Sequence, residues 1–165
     1  DMEIRYTTDG NEPVATSSLY TDSLVVTNDI TINAATFANG KQMGKNLTLP
    51  LHWNKATARP VQDGNSQTYR LTNGLRGSNK QSDFEWCGWY DEDATFTIDL
   101  GKTEAMNGIT IGCITNYGMG AHIPSRITLS VSDDNQAYTQ VAERSFTPKK
   151  YSAKESASKT RHSTI

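Results

Sequence analysis

The residues best suited to chemistry in this chain fall in two short stretches. Trp86, Trp89, Tyr90 and Asp91 occupy one, and Asn116, Tyr117 and His122 the other. Together they offer aromatic faces and directional hydrogen-bonding groups. A pyranose needs both, since one of its faces is a C–H surface that stacks on a ring while its hydroxyls require planar donors and acceptors. The set reads as a shallow site for a terminal sugar such as galactose or N-acetylhexosamine, with Trp89, Tyr90, Asp91, Asn116, Tyr117 and His122 as the ligand residues. Packing is the competing role for Trp89 and Tyr90.

The other reactive groups form no constellation. His52, His122 and His162 stand far apart, with no Ser-His-Asp, Cys-His or His-x-x-x-His arrangement around them. Gly112, Gly118 and Gly120 have none of the spacings of a phosphate-binding loop. Two cysteines, Cys87 and Cys113, are too few for a disulfide scaffold. A single bridge between them is open, but two separate buried thiols suit the pattern better, because Cys113 shares one face of a strand with Ile109 and Ile111 while Cys87 is offset from any strand that would pair with it.

Period-2 alternation dominates the elements that must position these groups. Met2, Ile4 and Tyr6 form one apolar row, Ile30, Ile32 and Ala34 a second, and Leu47, Leu49 and Leu51 a third, with Asp9-Gly10-Asn11 and Asn39-Gly40 as turns between them. Further on, Ala94, Phe96, Ile98 and Leu100 alternate, then Ile109, Ile111 and Cys113, then Ile127, Leu129 and Val131, before a turn at Asp133-Asp134-Asn135. The class is all-β. If 94–100 and 108–114 form a hairpin through 101–107, the loops 84–93 and 115–124 share one rim, which is what would bring the candidate sugar site together.

Composition limits the functions that fit. At 165 residues the chain holds one large or two small domains and falls short of the roughly 250 residues of a (β/α)₈ barrel. No stretch approaches a membrane span of about 18 apolar residues, so membrane insertion is not expected. The net charge of −2 conceals a basic end: residues 143–165 carry six basic against two acidic groups. Lys149, Lys150, Lys154, Lys159 and Arg161 sit among Ser, Ala and Thr with only Tyr151 as an aromatic platform, the pattern of a solvated tail rather than of a nucleic-acid surface. The apolar pattern stops after Val141, so no closing strand is expected between Glu143 and Ile165, and weak order is expected there. The sequence thus divides into a small domain at 1–56, a linker at 57–66 and a second domain at 67–165 with a polar tail from about 143.

Two runs resemble known families. Ile4-Arg5-Tyr6-Thr7-Thr8-Asp9-Gly10-Asn11-Glu12-Pro13, followed by Ser18-Leu19-Tyr20 and Ile32-Asn33-Ala34-Ala35-Thr36-Phe37, resembles the small immunoglobulin- or fibronectin-like sandwich behind the catalytic barrel of bacterial chitobiases and β-N-acetylhexosaminidases of glycoside hydrolase family 20. Leu71-Thr72-Asn73-Gly74-Leu75-Arg76-Gly77-Ser78, Glu85-Trp86-Cys87-Gly88, Thr97-Ile98-Asp99-Leu100-Gly101 and Ser130-Val131-Ser132-Asp133-Asp134 resemble a discoidin domain (coagulation factor V/VIII type C), a jelly roll of the galactose-binding type. The chain is then expected to begin inside the first domain and to stop short of the last strand of the second.

The resemblance implies a non-catalytic accessory region of an exported enzyme, periplasmic or at the bacterial cell surface, monomeric, bracing a catalytic barrel in the parent chain and binding glycans weakly. The alternative it leaves open is a discoidin-type protein-interaction or adhesion module. It implies Trp86 as a buried plug. It also implies a structural calcium site near Thr72, Asn73 and Ser78, although Asn73 replaces the usual Asp and calcium prefers anionic oxygen; no other cofactor is expected. Asp91-Glu92 matches the adjacent Asp and Glu of the family's catalytic pair, but on a polar loop nothing would raise the Glu pKa as a general acid requires. No catalytic residue is therefore assigned.

Overall fold

The computed structural model describes residues 1–147 in full and the backbone of 159–164. Among the described residues all extended structure is β-strand, and the only helical pieces are two single 3₁₀ turns. The class is all-β, as the alternation predicts. No helix is long and apolar enough to cross a membrane. The chain divides into two compact units, the first formed by Asp1–Arg59 with Leu71–Leu75 and the second by Pro60–Arg70 with Arg76–Ile165.

The first unit is a five-stranded sheet. β1 (Met2–Thr7) pairs with β2 (Ser18–Leu19) on one side and with β3 (Ile30–Ala38) on the other. The far edge of β3 is shared by β4 (Lys41–Gln42) and β5 (Leu47–Leu51). Asn39 and Gly40 form the two-residue turn from β3 to β4, both with positive φ (49° and 74°), the geometry for which Asn-Gly is the favoured pair.

The registers place the three apolar rows on one face. Tyr6 stands opposite Ala34, and Ile32 opposite Leu49. Yet the buried positions of β3 are on the other face: Asn33, Ala35 and Phe37 are each 5 % exposed, whereas Met2, Ile4 and Leu47 of the apolar face are exposed. The cause is residues 11–17, which fold over the Asn33 side. Asn33 Nδ2 donates to the Asn11 carbonyl (3.1 Å), Thr48 Oγ1 to Asn33 Oδ1 (2.8 Å), and the Arg5 guanidinium to the Ser17 carbonyl (3.0 Å). A buried Asn is tolerated because both ends of its carboxamide are satisfied.

Residues 71–75 complete this unit through backbone bonds from His52 N–H to the Gly74 carbonyl (2.7 Å) and from Ala58 N–H to the Thr72 carbonyl (2.7 Å). Gly74 has φ +80°, and a Cβ there would lie 3.2 Å from the His52 carbonyl oxygen, so the glycine answers both a left-handed backbone and a close approach.

In the second unit β6 (Val61–Gln62) pairs with β7 (Thr97–Ile98), β8 (Thr110–Thr115) with β11 (Lys159–Thr164), and β9 (Arg126–Val131) with β10 (Thr139–Ser145), all antiparallel. β10 carries a register shift between Gln140 and Ala142. Ile127, Leu129 and Val131 alternate half-buried with exposed neighbours, as expected.

Two expectations fail here. The hairpin of 94–100 with 108–114 is not formed: β7 is two residues long and takes Val61–Gln62 as partner, with Asp99 N–H bonded to the Pro60 carbonyl (3.4 Å) and Asp99 Oδ1 accepting from Gly101 N–H (2.7 Å). Alternation assigns side chains to faces but says nothing about which strand lies beside which. The second failure is the missing closing strand, since β11 runs in register with β8 from Lys159 opposite Thr115 to Thr164 opposite Thr110. A backbone ladder needs no apolar side chains, and a polar, charged sequence is what an edge strand tolerates. Of the tail from Glu143 to Ile165 in which weak order is expected, residues 148–158 and 165 lie outside the described residues.

Candidate functional site

The loop bearing Trp86, Trp89, Tyr90 and Asp91 is tied down from both sides within the second unit. Asp83 organises its entry, accepting from Ser78 N–H at Oδ2 (2.8 Å) and from Glu85 N–H at Oδ1 (3.0 Å). Hydrogen bonds from Ser78, and then from the Glu85 N–H, hold the Asp83 carboxyl below the usual range of an aspartate. The next residues are anchored one after another to 65–70: the Trp86 carbonyl accepts from Arg70 (2.9 Å), Cys87 Sγ donates to the Gln67 carbonyl (2.8 Å), and the Gly88 carbonyl accepts from Asn65 Nδ2 (2.9 Å).

Trp86 is half-buried, its Nε1 donating to the Ser78 carbonyl (2.9 Å) and its ring lying against Gly77. A Cβ at Gly77 would come within 2.4 Å of Trp86 Cε2, so the ring occupies the space a side chain would take. Trp89 is also half-buried, stacked on Phe96 with centroids 5.9 Å apart and planes at 23°. Tyr90 projects instead, 95 % exposed, followed by Asp91 with φ 56° and the exposed Glu92 and Asp93.

The stretch 116–122 forms a tight turn after β8. Asn116 and Ala121 exchange backbone hydrogen bonds (3.0 Å each), and Gly120, with φ 75°, returns its N–H to the Tyr117 carbonyl (3.2 Å). This closure brings the Tyr117 and His122 rings to 5.2 Å between centroids, tilted by 52°. Tyr117 is half-buried, while His122 is exposed.

The structure therefore builds two small clusters from the expected site residues, Trp89 with Tyr90 and Asp91 in one, and Asn116, Tyr117 and His122 in the other. The hairpin from which a common rim was argued is not present.

Sequence reasoning did not single out Asn65, Gln67 and Arg70, which fix the first cluster, nor the exposed aromatics Tyr69 and Phe84 that flank it. The Arg70 guanidinium sits 5.5 Å from the Tyr69 ring centroid. These residues lie in stretches without period, so no pattern in the sequence marks them.

Of the residues expected near calcium, Thr72 is buried and donates from Oγ1 to the Arg59 carbonyl (2.8 Å), and Asn73 Oδ1 accepts from Leu75 N–H (2.9 Å). Ser78, in the second unit, uses its N–H and carbonyl for Asp83 and Trp86. No group of three or more His, Cys, Asp or Glu gathers at a metal-holding distance among the described residues. Neither cysteine is in a disulfide; both are half-buried, and burial raises both thiol pKa values.

No curated protein matches this chain. Residues 1–48, which hold the β1 to β4 part of the first sheet and the start of β5, match the family model of the chitobiase/beta-hexosaminidase C-terminal domain.

Proposed function

We propose that this chain is a non-catalytic accessory region of an exported bacterial β-N-acetylhexosaminidase, bracing the catalytic barrel of the parent chain. The observation that carries the reading is the family match over residues 1–48, on a sheet whose strands are those the motifs mark. The exposed position of Asp91 and Glu92 supports a non-catalytic role, because an acid/base pair works from within a concave site that surrounds its substrate. In this reading the second unit is a discoidin-like module. It meets terminal sugars through Tyr90 and Asp91, and through Asn116, Tyr117 and His122, at roughly millimolar affinity, about −4 kcal/mol. Such affinity is useful through avidity in the parent enzyme.

Two measurements test this. The purified chain is expected to leave a chromogenic N-acetylglucosaminide intact, and turnover that survives repurification and disappears in Glu92→Gln would overturn the non-catalytic role. Titrating N-acetylglucosamine and galactose into isotopically labelled chain should move resonances of Tyr90, Tyr117 and His122. No movement at roughly tens of millimolar sugar would leave bracing alone.

A further inference from the structure

Asparagine is followed by glycine at three places in this chain, Asn39-Gly40, Asn73-Gly74 and Asn107-Gly108. In each pair the glycine backbone nitrogen is a nucleophile lying next along the chain from the asparagine carboxamide carbon. Glycine has no side chain to crowd the approach and leaves the backbone free to turn toward it. Attack closes a succinimide ring only when the carboxamide carbon can swing onto that nitrogen, so the reaction is governed by access to the attacking geometry. The dipeptide is the same at all three places. What surrounds it is not.

Two of the pairs are held away from that geometry. Asn39 and Gly40 are the turn residues of a hairpin, both at positive φ, with Ala38 opposite Lys41 and Phe37 opposite Gln42 on either side. The Met43 N–H extends that closure to the Thr36 carbonyl (2.8 Å). Asn73 is half-buried, and its Oδ1 accepts from the Leu75 N–H (2.9 Å), which fixes the carboxamide. The carbonyls before and after it, those of Thr72 and Gly74, accept from Ala58 and His52 (2.7 Å each). At both places the ring can close only after local hydrogen bonds open, and the open fraction limits the rate.

Asn107-Gly108 has neither restraint. Both residues are exposed and outside any strand, with Asn107 at a bend. Among the described residues no hydrogen bond holds the Asn107 carboxamide or the Gly108 backbone. The chain enters a ladder again at Thr110, opposite Thr164 in the pairing of β8 with β11. Rotation about the Asn107 backbone therefore breaks no bond of the fold.

We propose that Asn107 is a site of spontaneous covalent self-modification, at which the Gly108 backbone nitrogen displaces the Asn107 side-chain nitrogen. The bond from Gly108 N to Asn107 Cγ forms, the Cγ–Nδ2 bond breaks, and the amide proton leaves with Nδ2 as ammonia. Water then opens the imide. Addition at Cγ gives aspartate, and addition at the backbone carbonyl gives isoaspartate, whose main chain runs through Cβ and Cγ. Either product carries a new negative charge at neutral pH, and isoaspartate also lengthens the backbone just before β8. The proposal does not depend on the hexosaminidase reading, nor on any sugar being bound.

The test incubates the full chain in heavy-oxygen water at neutral and mildly alkaline pH and follows each asparagine by peptide mass spectrometry, the heavy oxygen marking modification that precedes digestion. Asn107 should convert at least roughly ten-fold faster than Asn39 or Asn73, which react only from locally opened states. Alkali should speed it, because the amide nitrogen attacks once deprotonated. In denaturant the three rates should converge to within roughly two-fold. Asn107→Gln should remove the early acidic species from ion-exchange chromatography, since its side chain would have to close a larger ring. Equal native rates at the three sites, or an acidic species that forms as fast in Asn107→Gln, would overturn the proposal. So would a lead for Asn107 that persists in denaturant, since the fold would then not be what exposes it.

Discussion

Trp89 lies stacked on Phe96, ring centroids 5.9 Å apart and planes 23° from parallel. One face of the indole is therefore spent inside the protein, and the neighbouring Tyr90 is the aromatic that meets solvent. Both residues lie in no strand, and the backbone bends at Tyr90 beside the left-handed Asp91, where the tyrosine is left to solvent.

A difference in stability between the two follows. Trp89→Ala should cost roughly 1–3 kcal/mol, less than a fully buried Trp because the ring is only partly covered, whereas Tyr90→Ala should stay within about 0.5 kcal/mol of the parent. Urea unfolding followed by circular dichroism measures both. Equal losses would mean that the stack on Phe96 contributes nothing.

The glycines of the same loop give a second contrast. Gly77→Ala places a Cβ 2.4 Å from the Trp86 ring, while a Cβ at Gly88 meets nothing within 4 Å. The first should cost on the order of 1–3 kcal/mol through forced displacement of the ring and should alter tryptophan fluorescence. Gly88→Ala should do neither.

Acid should loosen the entry of the loop. The Asp83 carboxyl is lowered by its bonds from Ser78 and Glu85, so the folded state holds it ionised to lower pH than the unfolded chain does. The stabilisation is fully present above the unfolded value, near ~4, and is lost as pH falls through the lower folded value. Asp83→Asn should therefore unfold at lower urea than the parent at pH 7, and the gap between them should close in acid. A gap that persists unchanged at the lowest pH would show that charge is not what Asp83 contributes.

Burial raises both cysteine thiols, Cys87 despite an opposing pull from Arg70. At pH 8 each should hold less thiolate than a free cysteine, and alkylation should be slower than for a small thiol. Iodoacetamide labelling read by mass spectrometry should find both sites slow in the native chain and fast in denaturant. A fast native site would place its sulfur in solvent.

Much of the chain was legible because short-range stereochemistry decides it. Alternation at Ile127, Leu129 and Val131 could only come from a strand covered on one side, and Asn39-Gly40 could turn because both residues tolerate positive φ. The same alternation grouped Met2, Ile4 and Tyr6 in one apolar row, Ile30, Ile32 and Ala34 in another and Leu47, Leu49 and Leu51 in a third, and the registers set the three rows on one face.

What these rows could not reveal is what covers them. The apolar face of the first sheet stays partly open and the Asn33 face is closed, because residues 11–17 satisfy Asn33 and Arg5 through side-chain hydrogen bonds that no period encodes.

The sequence by itself determined that this protein is all-β, where its clearest turns fall and which side chains share a face, since each follows from the backbone preferences of a few neighbouring residues. Tertiary structure alone decided that β7 pairs with Val61–Gln62 and β8 with Lys159–Thr164, and that Trp89 packs on Phe96 while Tyr90 is left to solvent. Backbone N–H and C=O groups are the same in every strand, so pairing is chosen by the whole arrangement of the chain and not by the residues of the strand.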